Sequence, residues 1–326
     1  MKNKTVIAAD IGGTKTLLQQ AEFLPGSLQA QRVLQQAHYT SADYADLATL
    51  LEDFLQNTNQ ASQGICLAVA GPVQGQYPQQ TAKLTNLPWR IDSQDLSRHF
   101  GVPVLLINDF QAVGHGIAAL HADDLITLHA AQADLKAPKV VLGAGTGLGV
   151  ALLIPQAGDY MVFPTEAGHM DFAASNELQD GLLSFLRAQF GHVSWERVVS
   201  GPGLVNIYRF LLSHDKAEDT AGLLDAADPA AAIATSNDDR AVLALQQFIH
   251  LYGAIAGNLA LATMARGGVY LAGGIAARIL PHLQQGNFIH SYLDKGRMRP
   301  VLEKIPLHVV TNPQVGLLGA LLLAAR

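Results

Sequence analysis

The chain has 326 residues, 49% hydrophobic and 15% charged, with a formal net charge of −6; this is a globular composition, not a disordered one, and the length suits two domains. No block of Lys and Arg stands out, which argues against nucleic acid as the main partner. The single cysteine, Cys66, excludes an intramolecular disulfide framework and any thiolate zinc cluster, and favours a reducing, cytoplasmic setting.

Lys2 and Lys4 look like a charged start, but Asp10 interrupts the apolar run that follows, too soon for a secretory h-region. Val6–Asp10 and Thr16–Ala21 read as paired strands around the turn Gly12-Gly13-Thr14. A helix is expected over Ala42–Gln56, a strand over Gly64–Ala70, and a short helix capped by Ser93 and ended by Gly101. Pro103–Ile107 is continuously apolar, the pattern of a strand buried on both faces, and Asn108-Asp109 ends it before another helix.

Lys139–Leu142 and Gly149–Ile154 form a second strand pair around a glycine-rich turn. Ser175 is expected to cap a helix that Gly191 ends, and Ser200 with Pro202 to start the next, through Leu212. Ser213–Asp239 reads as a polar, Ala-rich surface excursion. A long helix from about Asp239 should end at Gly267-Gly268, as a C′ glycine would end it. Its uncharged stretch, Ala241–Ala265, is long enough to span a membrane. However, Gln246, Gln247, His250 and Asn258 favour a buried helix of a soluble protein with no membrane partner. "VYLAGGIAAR" is strand, Gly-Gly turn and helix, and a last helix runs from about Pro313 to Ala325.

"VIAADIGGTKTLL" and "VVLGAGTGLGVALL" share one plan: apolar strand, Gly-rich turn with a Thr, apolar strand. This short internal echo suggests two similar half-structures facing each other. A phosphate at a turn is held mainly by backbone N–H groups, which needs glycine where the chain approaches the anion. The Thr14 and Thr146 hydroxyls each offer one more donor. The alternative for either turn is an ordinary hairpin whose glycines supply positive φ. The Walker loop is absent, and the dinucleotide fingerprint fails because Leu148 stands at its third glycine and a strand follows where a helix is needed.

Asp10 beside the first turn is suited to holding the Mg²⁺ that accompanies nucleotide phosphates, directly or through water; a turn Asp is the alternative. Asp109, at the carboxyl end of a buried strand, is placed where ligands collect in α/β sheets and where a carboxylate can accept a hydroxyl proton; a turn Asp is the alternative. Glu166 and His169 share one loop and supply acceptor and donor to a hydroxyl-rich ligand, with Glu196 able to complete such a site; an incidental surface pair is the alternative. A zinc site is the rival for that pair, although the order E-x-x-H lacks a completed ligand set. Gly273-Gly274 allows close approach of a flat group such as an adenosine; a helix start that needs room is the alternative, and the two are compatible.

In this order, "DIGGT", "LTNLPW", "LINDF", "GAGTGLGV", "PTEAGH", "SWERVVSGPGLVNIYR" and "LAGGI" resemble bacterial ATP-dependent glucokinase, of the superfamily of actin, sugar kinases and heat-shock ATPase chaperones. The resemblance spans nearly the whole chain. It implies an α/β protein with two domains of the actin-like/ribonuclease-H-like type, each on a mixed five-stranded sheet, with the active site in the interdomain cleft. The expected domains are 1–109 with 312–326, and 110–311. It implies that Asp109 is the general base on the glucose 6-hydroxyl, with Asn108, Glu166, His169 and Glu196 on the sugar. Ala9, Asp10, Ile11, Gly12, Gly13 and Thr14 match the first phosphate segment, Gly145 and Thr146 the second, and Gly273 and Gly274 the adenosine turn.

Lys15 stands where close relatives often have Asn, and Ala144 where they often have Pro. The implied partners are glucose, ATP and Mg²⁺, with a homodimer as the suggested assembly. A sugar-responsive regulator of the same fold would carry a helix-turn-helix ahead of the first turn, and the strand starting near Thr5 is expected to leave no room for one. Kinase action on another hexose or an amino sugar is a further alternative, because hydroxyl stereochemistry depends on fine placement of Glu166, His169 and Glu196.

Overall fold

The structure, a computed structural model, describes residues 3–326 apart from 57, 59, 85 and 86. Thr85 and Asn86 of "LTNLPW", and Lys2 of the charged start, therefore lie outside the described residues. In chain order the elements begin β1 (Lys4–Ile11), β2 (Lys15–Phe23), β3 (Arg32–Thr40), α1 (Leu47–Gln56), β4 (Ile65–Val69), β5 (Val73–Gln76), β6 (Gln79–Lys83) and β7 (Arg90–Asp92). They continue α2 (Ser93–Phe100), β8 (Val104–Asn108), α3 (Asp109–Gly116), β9 (Leu125–His129), β10 (Lys139–Ala144), β11 (Leu148–Gln156) and β12 (Asp159–Thr165). Then come α4 (Glu177–Phe190), α5 (Gly201–His214), α6 (Pro229–Thr235), α7 (Asp239–Thr263), β13 (Gly268–Ala272) and α8 (Gly274–Arg278). The last are α9 (Leu280–Leu283), α10 (Asn287–Leu293), α11 (Arg299–Leu302), β14 (Leu307–Val310) and α12 (Val315–Ala325).

Two units result: residues up to Ala122 with Asn312–Arg326, and Asp123–Thr311. The first unit runs past 109 because α3 packs on α12. Its main sheet has five strands in the order β3-β2-β1-β4-β8, with β1, β2 and β3 antiparallel and β4 and β8 parallel to β1. The second sheet repeats this plan as β12-β11-β10-β13-β14, so the echo between the two glycine hairpins extends to whole sheets. The expectation of five strands in each needs correction here. A sixth strand, β9, adds antiparallel to the edge of β14. A small antiparallel sheet, β5-β6-β7, belongs to the first unit.

Strand alternation assigns the cores. On β1, Ile7, Ala9 and Ile11 face α1 and α2 residues such as Leu50, Phe54 and Leu96, while Val6 and Ala8 face Leu317 and Leu321 of α12. Both faces are buried, so the strand reads as an apolar run. In the second unit α5 and α7 pack on one face of the sheet through Leu204, Ile207, Phe248 and Tyr252, against Val140, Leu142 and Val150. The α3–α12 crossing is unusually close. A Cβ on Gly319 would meet the Ala112 carbonyl oxygen at 1.9 Å, and one on Gly116 would meet that of Val315 at 1.9 Å.

Several helix ends differ from expectation. Asp92 caps α2, accepting from the Gln94 and Asp95 amides, while the Ser93 hydroxyl turns inward to the Pro78 carbonyl. Asn176, not Ser175, caps α4. The helix expected from Ala42 begins at Leu47, where Asp46 accepts from the Thr49 amide. The Ser213–Asp239 stretch contains α6. Finally, α7 stops at Thr263, with Met264 taking the left-handed position (φ 47°) expected of a glycine. No helix among the described residues is long and apolar enough to cross a membrane.

Candidate active site

In the first unit, Asp10 lies near the end of β1, on the strand that leads into the Gly12–Thr14 turn. It is half-buried, and desolvation pushes its carboxyl pKa above the ordinary carboxylate value. It makes no ion pair or side-chain hydrogen bond among the described residues, and Gly316, second residue of α12, passes close to its Oδ2. The turn is closed by the Gly12 amide donating to the Lys15 carbonyl (2.9 Å), and Thr14 is exposed. Ala9 and Ile11 are fully buried, with side chains in the core and backbone in the ladders to β2 and β4, so they hold the turn from beneath.

Asn108 and Asp109 sit where β8 ends and α3 begins. Asn108 is the helix N-cap: its Oδ1 accepts from the Phe110 amide (2.9 Å) and its Nδ2 donates to the Gly71 carbonyl (3.2 Å). One Nδ2 hydrogen is left for another acceptor. Asp109 is half-buried at the first turn, where its Oδ1 also accepts from the Phe110 amide (2.8 Å) and the helix N-terminus favours negative charge.

In the second unit the Gly145–Gly147 turn joins β10 to β11. Neither Gly145 nor Gly147 has positive φ, and neither do Gly12 and Gly13. Conformational need therefore does not explain these glycines, which leaves close approach. A Cβ on Gly145 would point into open space. The Gly145 amide donates to the Gly147 carbonyl (2.8 Å), and the Gly145 carbonyl accepts from the Gly201 amide at the start of α5 (2.8 Å). Thr146 is exposed beside them. Gly273 is different: its φ is 83°, and a Cβ would lie 2.9 Å from the Ala144 carbonyl, so only glycine brings α8 this near the turn.

Gly145, Thr146 and Gly274 line a cavity of about 480 Å³ whose other walls are mostly apolar, from Pro202 of α5, Ala230 and Ala234 of α6, and Ile275 of α8. Its size suits a small-molecule ligand. Asp228, the N-cap of α6, and Arg278 face each other across part of the lining, 4.0 Å apart. Sequence reasoning missed the α6 wall. The usable signal was Asp228-Pro229, a cap and an N1 proline before an Ala-rich run.

Glu166 and His169 are both exposed at the two ends of one helical turn, with His169 Nε2 4.0 Å from Glu166 Oε2. Gly168 between them packs against β11 so closely that a Cβ would meet the Leu148 carbonyl oxygen at 2.1 Å. Glu196 is half-buried, and its Oε2 accepts from the Leu148 amide at 2.9 Å. Glu196, the Glu166–His169 loop and the second glycine turn therefore meet at one residue, Leu148. Trp195 is buried against Phe172, and His192 pairs with Asp171 (2.6 Å). No group of three or more His, Cys, Asp or Glu able to hold a metal ion occurs among the described residues.

The doubled strand order, with a glycine turn on the first hairpin of each sheet, defines the class of actin-like sugar kinases. A solved glucokinase from an Antarctic psychrotroph matches the fold with TM-score 0.85 at 29% identity, covering 98% of each chain. A glucokinase from Balamuthia mandrillaris, solved in complex with glucose, matches at 0.81 and 24% identity, covering 99% of this chain and 94% of its own. A glucokinase of Trichormus variabilis is 45% identical over 344 residues, 98% of this chain and 99% of the relative. The family model for glucokinase matches residues 7–326. The chain belongs to the glucokinase family.

Proposed function

We propose that this protein transfers the γ-phosphoryl group of ATP to the 6-hydroxyl of glucose, giving glucose 6-phosphate and ADP. Membership of the glucokinase family over almost the whole chain supports the reaction. The observation that carries the mechanism is Asp109: a half-buried carboxylate at the end of a parallel strand and the start of a helix.

Phosphoryl transfer has a loose transition state, so positioning and charge neutralisation supply most of the catalysis. Asp109 orients the 6-hydroxyl and takes its proton late. Asn108, held rigidly by its capping bonds, offers its remaining N–H to the sugar. Glu166, His169 and Glu196 bind further hydroxyls, and Oε1 of Glu196 is the oxygen available for this, since Oε2 is engaged with Leu148. The two glycine turns hold phosphates through the amides that their own closing bonds leave over, those of Gly13, Thr14 and Thr146. Gly273 and Gly274 admit the adenosine to the apolar cavity.

Asp10 is the residue suited to Mg²⁺. A desolvated carboxylate with no cationic partner among the described residues fits a divalent ion. When bound, the ion would neutralise charge on the nucleotide phosphates. The test of the assignment is Asp109→Asn. It should lower kcat by ~10²-fold or more in an ADP-coupled assay while glucose still binds; near-normal turnover refutes it. The same assay across a panel of hexoses reads the acceptor specificity.

A further inference from the structure

We propose that Glu196 is a positioning residue that ties the occupied sugar site to the nucleotide turn, so that glucose and ATP each strengthen binding of the other. This rests on the kinase function proposed above and adds to it a path of named contacts inside the second unit.

The path is a closed ring of hydrogen bonds. Glu196 Oε2 accepts from the Leu148 amide, at the end of the turn (2.9 Å). The Glu196 carbonyl accepts from the Ser200 hydroxyl (2.7 Å), and Ser200 caps α5. The next residue, Gly201, donates its amide to the Gly145 carbonyl (2.8 Å), and the Gly145 amide donates to the Gly147 carbonyl (2.8 Å). The carboxylate also lies directly against the turn, since a Cβ on Gly147 would come within 2.5 Å of Oε2. From the other side, Gly168 seats the Glu166–His169 loop on the Leu148 carbonyl.

Two carboxylate oxygens divide the work. Oε2 is committed to the turn, and Oε1 makes no hydrogen bond among the described residues. A sugar hydroxyl donating to Oε1 fixes the rotamer of a long side chain that is otherwise expensive to order. Fixing that rotamer fixes the acceptor of the Leu148 amide and hence the turn. Coupling of this kind is reciprocal: nucleotide phosphates that order the turn must improve sugar binding by the same factor.

Gly147 provides the discriminating perturbation. It belongs to the nucleotide turn, has ordinary φ, and a Cβ there would meet only the tip of Glu196. Gly147→Ala should therefore displace the carboxylate without straining the backbone. The experiment is calorimetric titration of glucose and of magnesium AMPPNP, each alone and with the other saturating, on the parent, Gly147→Ala, Glu196→Gln and Glu196→Ala. In the parent, each ligand should tighten the other at least about fivefold, the lower end of typical couplings.

Gly147→Ala should weaken glucose about tenfold, the effect of losing one charge-assisted hydrogen bond, and reduce the coupling below twofold. Glu196→Gln, which keeps an acceptor for the Leu148 amide, should retain more of the coupling than Glu196→Ala. The proposal is overturned if Gly147→Ala weakens only the nucleotide, if Gln and Ala behave alike, or if the parent binds both ligands with no mutual effect. A parent that binds no glucose under any condition overturns the kinase function itself, a result distinct from these three.

Discussion

Gly319→Ala tests the closest packing in the first unit. A Cβ at this position would lie 1.9 Å from the Ala112 carbonyl oxygen and 2.5 Å from the Gly116 nitrogen. Both obstacles are backbone of α3, so no side chain can swing aside, and the helices must part by about 1 Å or more to reach a tolerable contact. The surroundings are fully buried Ala112, Ala320 and Leu321, and parting the helices opens voids among them. Overpacking of this kind sits near the upper end of its range, about 3 kcal/mol. Replacing a mid-helix glycine by alanine returns about 1 kcal/mol of helix propensity. The net expectation is a loss of about 2 kcal/mol, or a drop of about 5 °C in the Tm of a unit this size. Scanning calorimetry measures it directly. The sign decides: a variant melting at or above the parent temperature would mean that propensity outweighs the crossing, and the close α3–α12 approach would be refuted. Because α3 begins at Asp109, kcat should fall too, at temperatures where the variant is still folded.

The remaining predictions are narrower. Gly273→Ala, strained by φ 83° and by the Ala144 carbonyl at 2.9 Å, should raise the KM for ATP by about tenfold while leaving that for glucose nearly unchanged in steady-state kinetics. Asp10→Asn should raise the magnesium concentration for half-maximal activity by about tenfold or more, read from a magnesium titration at fixed ATP; an unchanged requirement would refute the proposed metal role of Asp10. His250 is half-buried with its Nδ1 2.7 Å from the Ser291 hydroxyl, and desolvation, the main cause, lowers its pKa below 6.5. The folded state therefore favours neutral imidazole, so its contribution to stability is intact above pH 6.5 and is lost as the pH falls below that value. Urea unfolding between pH 8 and 5 should show a shallower decline for His250→Gln than for the parent.

Much of the strand framework can be read from the residues because β1, β4, β8 and β10 are buried on both faces and show as uninterrupted apolar runs. The glycine turns stand out for the same reason: they break those runs abruptly. Helix ends are harder. Asp92-Ser93 and Ser175-Asn176 each place two good caps side by side, and which one serves depends on how the apolar stripe must face the sheet. Strands β5 to β7 are three to five residues long, and β5 and β6 are rich in Gln, so no hydrophobic period marks them. Helix α6 is built from alanine, which carries little periodic signal, and its importance appears only once it walls the cavity. The candidate site is proposed from residue types at turns and strand ends. What was not legible is how Glu196 meets the Leu148 amide, because the two lie 48 positions apart and only the packing of α5 on the second sheet brings them together.

The placement of α12 has a consequence for biosynthesis. The ribosome completes all of Asp123–Thr311 before it makes this helix, yet Leu317, Ala320 and Leu321 cover one face of the sheet started by β1. The second unit is contiguous and can fold as it emerges, whereas the nascent first unit must wait with Val6, Ala8, Cys66 and Ala68 uncovered. Chaperone dependence should accordingly concentrate on the half that is translated first and finished last.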